Sequence, residues 1–212
     1  MSFFNEIQFK NISIYFWKLE ENSEDLLKDI VLSSSDLFIF NSLKIEKKRL
    51  EFLAIRYLLK KANIPIEFLY YQKNGKPCLS NGYFISITHS FPFVVLAIAE
   101  KEIGIDIEKC TPRILNLASR FTDWQPLFSV DETDKILAFT QIWTIKEALF
   151  KIGNISELDF NKNLIIEDFQ PKFQYQKAQI IYEDNLKKYQ IHTEFLEDFV
   201  WSLAYYIRNL LL

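Results

Sequence analysis

The 212-residue chain is 49% apolar and 25% charged, with 20 phenylalanines and only 4 glycines, a composition that excludes a disordered or collagen-like protein. A chain this long buries roughly 70% of its unfolded surface and needs neither disulfide nor structural metal to fold. With 25 basic against 28 acidic residues, a net charge of −3 offers no global attraction for nucleic acid or an anionic membrane.

Gly75, Gly82, Gly104 and Gly153 are too far apart to write either G-x-G-x-x-G or G-x-x-x-x-G-K-[ST]. Any phosphate must therefore be held by side chains and metal. Two histidines (His89, His192) and two cysteines (Cys78, Cys110) are too few for a typical zinc site, and the cysteines point to a reduced, cytoplasmic setting. The longest clean apolar run, Phe91 to Ala99, contains Pro92, so neither a membrane span nor a signal peptide is expected.

In chain order, Ile12 to Trp17 alternates like a strand, and the 3.6-residue periodicity predicts a helix over Ile45 to Lys61. Arg49, Arg56 and Lys60 lie on one stripe of that helix, which is either a solvated basic face or an anion site. Asn74-Gly75-Lys76-Pro77 is a turn, followed by an antiparallel pair, Phe84 to Thr88 and Phe93 to Ala99. A third strand over Ile103 to Glu108 precedes helical patterns at Pro112 to Arg120 and Thr133 to Lys151. Strand-like runs at Leu164 to Glu167, Gln179 to Tyr182, Tyr189 to Thr193 and Phe199 to Tyr205 close the chain. A weak repeat, with Val95, Ala97 and Ala99 aligned on Val200, Ser202 and Ala204, suggests two halves, 1–101 and 102–212.

Three constellations can carry chemistry. On the strand from Ile103 to Glu108, period two sets Ile103, Ile105 and Ile107 on one face and Gly104, Asp106 and Glu108 on the other. The two carboxylates, about 7 Å apart, form either a divalent-cation pair or a solvated acidic edge. Thr144, Glu147 and Lys151 share one face of a helix that is apolar around most of its girth. Glu147 and Lys151 are either an ordinary i,i+4 ion pair or a metal carboxylate beside a phosphate-binding cation. Thr88-His89-Ser90 ends a strand at a turn, where His89 is structural or reaches into a cleft.

Taken in order, Gly75-Lys76-Pro77, Ile87-Thr88-His89-Ser90, Gly104-Ile105-Asp106-Ile107-Glu108 and Trp143-Thr144-Ile145-Lys146-Glu147-Ala148 with Lys151 resemble the 4'-phosphopantetheinyl transferase superfamily, in its surfactin-synthetase-activating (Sfp-type) branch. The resemblance implies an α+β fold of two similar α/β halves related by a pseudo-twofold, with an active site in the cleft between them. The implied enzyme is a cytoplasmic monomer that moves 4'-phosphopantetheine from coenzyme A to a serine of an acyl or peptidyl carrier protein, releasing adenosine 3',5'-bisphosphate. Asp106, Glu108 and Glu147 would be magnesium ligands, Glu147 also the base for the serine, and Lys151 the lysine on the pyrophosphate. Arg49, Lys76, Thr88 and His89 match coenzyme A positions. Thr88 stands where serine is more usual, and Thr122 to Asp134 departs from the family pattern, with Glu132 as the candidate acidic position. Two other readings use the same residues: a magnesium-dependent nucleotide diphosphate hydrolase, and a non-catalytic module that binds coenzyme A or a carrier protein.

Overall fold

The computed structural model describes residues 3–126 and 130–206, and the chain divides into two compact units, Met1–Glu100 and Lys101–Leu212. The N-terminal unit runs β1 (Phe3–Phe9), β2 (Ile12–Lys18), α1 (Ser23–Lys28), α2 (Ser34–Ser42), α3 (Glu46–Lys61), β3 (Leu69–Tyr71), β4 (Pro77–Leu79), β5 (Phe84–Ser90) and β6 (Phe93–Ala99). The C-terminal unit runs β7 (Ile103–Lys109), α4 (Glu132–Gly153), β8 (Leu164–Glu167), β9 (Tyr175–Tyr182), β10 (Asn185–Leu196) and β11 (Phe199–Tyr205). It is a mixed α+β architecture.

The first unit has an antiparallel sheet in the order β1-β2-β6-β5, with β3 and β4 as a separate hairpin. The apolar face of α3 packs Leu53 and Leu58 against Val94, Leu96 and Ile98 of β6 and Tyr15 and Trp17 of β2. Each such fully buried aliphatic contributes roughly 1.5–3 kcal/mol. The short helices α1 and α2 begin at Asn22 and Ser33, whose side chains accept from the backbone N–H of Asp25 and Asp36.

The second unit's sheet has the order β7-β11-β10-β9-β8. Along one face lies α4, packing Ile145, Ala148 and Leu149 against Ile191 and Ala204. Asp131 caps its first turn by accepting from Asp134 N–H, and Asn154, left-handed at φ 53°, ends it. Gly153 is therefore the last helical residue rather than the left-handed one. The predicted helix over Pro112 to Arg120 is two 3-10 turns, Pro112–Asn116 and Ala118–Arg120. Part of the divergent 122–134 segment, residues 127–129, lies outside the described residues.

Both units use one connectivity: a strand, a long helix, then a hairpin whose last strand inserts beside the first. In this way β6 pairs with β2 and β5, as β11 pairs with β7 and β10. The seven-residue strands β6 and β11 correspond at an offset of 106, Phe93 on Phe199, rather than at the 105 read from the sequence. The shorter offset equates residues on opposite faces, because it sets Leu96, which faces α3, on Trp201, whereas it is the neighbouring Ser202 that faces α4. A one-residue slip in a strand flips every side chain.

Candidate active site

Asp106 is not on a solvated edge. It is 4% exposed although β7 borders its sheet, because α4 lies on the Gly104-Asp106-Glu108 face. Gly104 makes that approach possible: a Cβ there would collide with the backbone oxygen of Ala148 and lie 2.9 Å from Ile152 N. The helix thus sits against bare strand backbone, and its next polar groups reach the acids. Lys151 Nζ donates to Asp106 Oδ1 at 2.6 Å and to the Ile105 carbonyl at 3.0 Å. It bonds across to the strand rather than along the helix to Glu147, so the i,i+4 pair is not what forms.

Thr144, one turn before Glu147, is fully buried and shares its hydroxyl with Ser202 Oγ at 2.8 Å; Ser202 in turn meets Thr193 Oγ1 at 2.9 Å. Ser202 is the cross-strand partner of Asp106. This hydroxyl ladder fixes the rotation of α4 over the sheet, and with it the direction of Glu147.

Burial above all pushes the Glu147 carboxyl up to about 7, with the charge of Asp106 and then Glu108 adding to the rise and Lys151 opposing it. A carboxylate poised there exchanges its proton at neutral pH. The neighbouring Lys146 turns the other way, donates to the Phe160 carbonyl at 2.7 Å, and is lowered to about 8 by burial. It anchors the 154–164 connection to α4. The aromatic cluster Phe121, Trp143 and Phe160 packs that side, with centroids 5.0 and 5.3 Å apart.

In the N-terminal unit, Lys76 sits in the β3–β4 turn, where Gly75 takes φ +84° and the Lys76 N–H is held by Asn74 Oδ1. Thr88 is buried on β5 and the adjacent His89 is half-exposed, its Nδ1 3.4 Å from Glu51 Oε1 on α3. The basic stripe of α3 is not one solvated face. Arg56 is 4% exposed, stacked on Phe52 and bonded to Asp36 at 2.7 Å, whereas Arg49 lies over Phe40 and 3.8 Å from Glu46. Sequence reasoning missed Glu51, a buried carboxylate whose spacing from Lys47 and Lys48 looks like any exposed helix pair.

Residues 102–204 match the family model described as the 4'-phosphopantetheinyl transferase superfamily. This stretch, which holds β7, α4 and the acids on them, is thus similar to that superfamily. Relatives include the 4'-phosphopantetheinyl transferase gsp of Aneurinibacillus migulanus, 31% identical over 144 residues that cover 65% of this chain and 58% of gsp. The 4'-phosphopantetheinyl transferase Sfp of Bacillus subtilis strain 168 is 37% identical over 86 residues, 38% of each chain. The 4'-phosphopantetheinyl transferase AcpT of Salmonella typhimurium is 30% identical over 112 residues, 49% of this chain and 58% of AcpT. The matches thus span 38% to 58% of these relatives' lengths. The superfamily match lies wholly within the C-terminal unit, where α4 brings Lys151 and Glu147 to the side of β7 that carries Asp106. Among the described residues, no three His, Cys, Asp or Glu side chains are drawn close enough to hold a metal ion.

Proposed function

We propose that the protein is a 4'-phosphopantetheinyl transferase, moving the phosphopantetheine arm of coenzyme A onto a serine hydroxyl of an apo acyl or peptidyl carrier protein. The observation that carries this reading is Glu147. It is a carboxyl raised to about 7, one helix turn from Lys151, on a helix seated against the buried Asp106. Attack of a serine on a pyrophosphate needs proton removal, positioning and charge neutralisation rather than a covalent intermediate. Glu147 is suited to accept the serine proton, directly or through water, and Lys151 to hold a pyrophosphate oxygen. Arg49, Lys76, Thr88 and His89 are assigned to coenzyme A phosphates by the family motifs they occupy.

Magnesium suits the chemistry of the donors, although the three carboxylates are not drawn into a closed cage. Asp106, Glu108 and Glu147 offer hard oxygen ligands, and the repulsion from Asp106 and Glu108, which adds to the burial that raises Glu147, is what a divalent cation would relieve. When bound, it would neutralise the pyrophosphate and ease departure of the adenosine bisphosphate. Lys151 would then turn from Asp106 toward substrate. The free thiols of Cys78 and Cys110 suit the cytoplasm, and we assign the enzyme there as a monomer.

The test is incubation with coenzyme A, magnesium and a panel of apo carriers, followed by mass spectrometry of the carrier. A carrier heavier by one phosphopantetheine is the expected product. No such product with any carrier sinks the proposal, and steady release of adenosine bisphosphate without carrier would point to a hydrolase instead.

A further inference from the structure

Glu51 is turned inward from a helix surface that otherwise bears lysines. It is 4% exposed, and its Oε2 accepts from Lys48 Nζ at 2.8 Å. Its Oε1 accepts no hydrogen bond of good geometry, yet it lies 3.4 Å from His89 Nδ1 and 3.9 Å from Lys47 Nζ. A buried carboxylate oxygen in that state is costly, and a small rotation of the imidazole gives it a charge-assisted bond. The His89 side chain is 41% exposed, so the ring spans from a buried acid to the surface. The charged groups gathered beside it from α3 are Lys47, Lys48 and Glu51, while its cross-strand partner on β6 is the apolar Val94.

We infer that Glu51 is a positioning residue for His89, holding the proton on Nδ1 and sustaining the imidazolium so that Nε2–H is offered to a phosphate of coenzyme A. The inference rests on the coenzyme A role proposed above for His89. An ion pair made only for stability would leave Glu51 among the half-exposed Lys47 and Lys48; burial toward β5 brings it to the one titratable group on that strand. The imidazolium is a donor whose charge depends on its neighbour, which lysine is not at neutral pH.

The chain has two histidines, and His192, 3% exposed, serves as an internal reference in a proton-NMR titration of the protein without coenzyme A. In Glu51→Gln the His89 midpoint should fall by about one pH unit while the His192 resonance is unmoved. Calorimetry should then show coenzyme A bound roughly 3- to 10-fold more weakly near neutral pH, with the difference closing at acid pH, where His89 is protonated in both proteins. Adding Glu51→Gln to His89→Ala should change affinity less than about 2-fold. A His89 that titrates alike in both proteins overturns the inference, as does an equal affinity loss in the His89→Ala background. If His89 shifts but His89→Ala binds coenzyme A like the wild type, the coenzyme A role of His89 fails, and the phosphate half of the inference falls with it.

Discussion

Lys151 of α4 and Asp106 of β7 form a 2.6 Å ion pair in which the acid is buried and the cation about a quarter exposed. Lys151→Ala removes a cation held 2.6 Å from a buried carboxylate, so the variant should lose about 2–4 kcal/mol in urea unfolding. It should also raise the Glu147 midpoint further, because Lys151 is the charge that holds it down. An unchanged urea midpoint would show that the pair contributes nothing.

The Glu147 carboxyl makes stability depend on pH in a definite direction. Its ordinary value is 4.5, and in the fold it stands near 7. Between those values the native protein keeps a proton that the unfolded chain has released, so native stability falls as pH rises across that window. In metal-free buffer, Glu147→Gln should flatten that fall in urea midpoints taken from acid to neutral pH. Transfer by this variant should drop about 100-fold or more. A wild-type pH profile in the variant would remove Glu147 from this role.

Gly104 sets how closely helix and strand approach. Gly104→Ala forces a methyl into the Ala148 backbone, and the helix must shift or distort. Thermal unfolding should report a loss of about 2–4 kcal/mol, and any protein that still folds should transfer poorly although no charged group has changed. Full activity at normal stability would mean that the helix yields without disturbing Glu147.

The cations of the N-terminal unit should separate by role. Arg56→Met breaks a buried pair and strands Asp36, so it should destabilise by about 3 kcal/mol without changing KM for coenzyme A in the folded protein. Lys76→Ala and Arg49→Ala should mainly raise that KM with kcat little altered. An Arg56 variant with normal stability and a raised KM would reverse the assignment.

What the chain reveals before folding depends on how local the cause is. The alternation in Ile103 to Glu108 and the face shared by Thr144, Glu147 and Lys151 follow from the covalent period of strand and helix, and both appear as read. The burial of Asp106 and the inward turn of Glu51 depend on an element distant in sequence, and no spacing announces them. The segment after Pro112 has helix-like spacing but closes with i+3 bonds, such as Ile114 to Thr111 and Leu117 to Ile114. Helices α1 and α2 are too short for a clear period, but Asn22 with Asp25, and Ser33 with Asp36, were start signals open to sequence reading.

The common connectivity of the two units has a chemical consequence. Matching β6 to β11 at offset 106 makes Leu96 the counterpart of Ser202. Their cross-strand partners, Tyr15 and Asp106, are then counterparts, as are Trp17 and Glu108. On the strand where one unit buries Asp106 under its helix, the other inserts aromatic rings, with Trp17 against Tyr57 at 5.1 Å. The N-terminal unit is a built-in control: it shows how the same backbone fills that face with rings instead of acids. The difference between the two faces locates the energetic burden of the acids in a single unit, and exchanging Tyr15 and Asp106 between them should separate what the scaffold requires from what the chemistry requires.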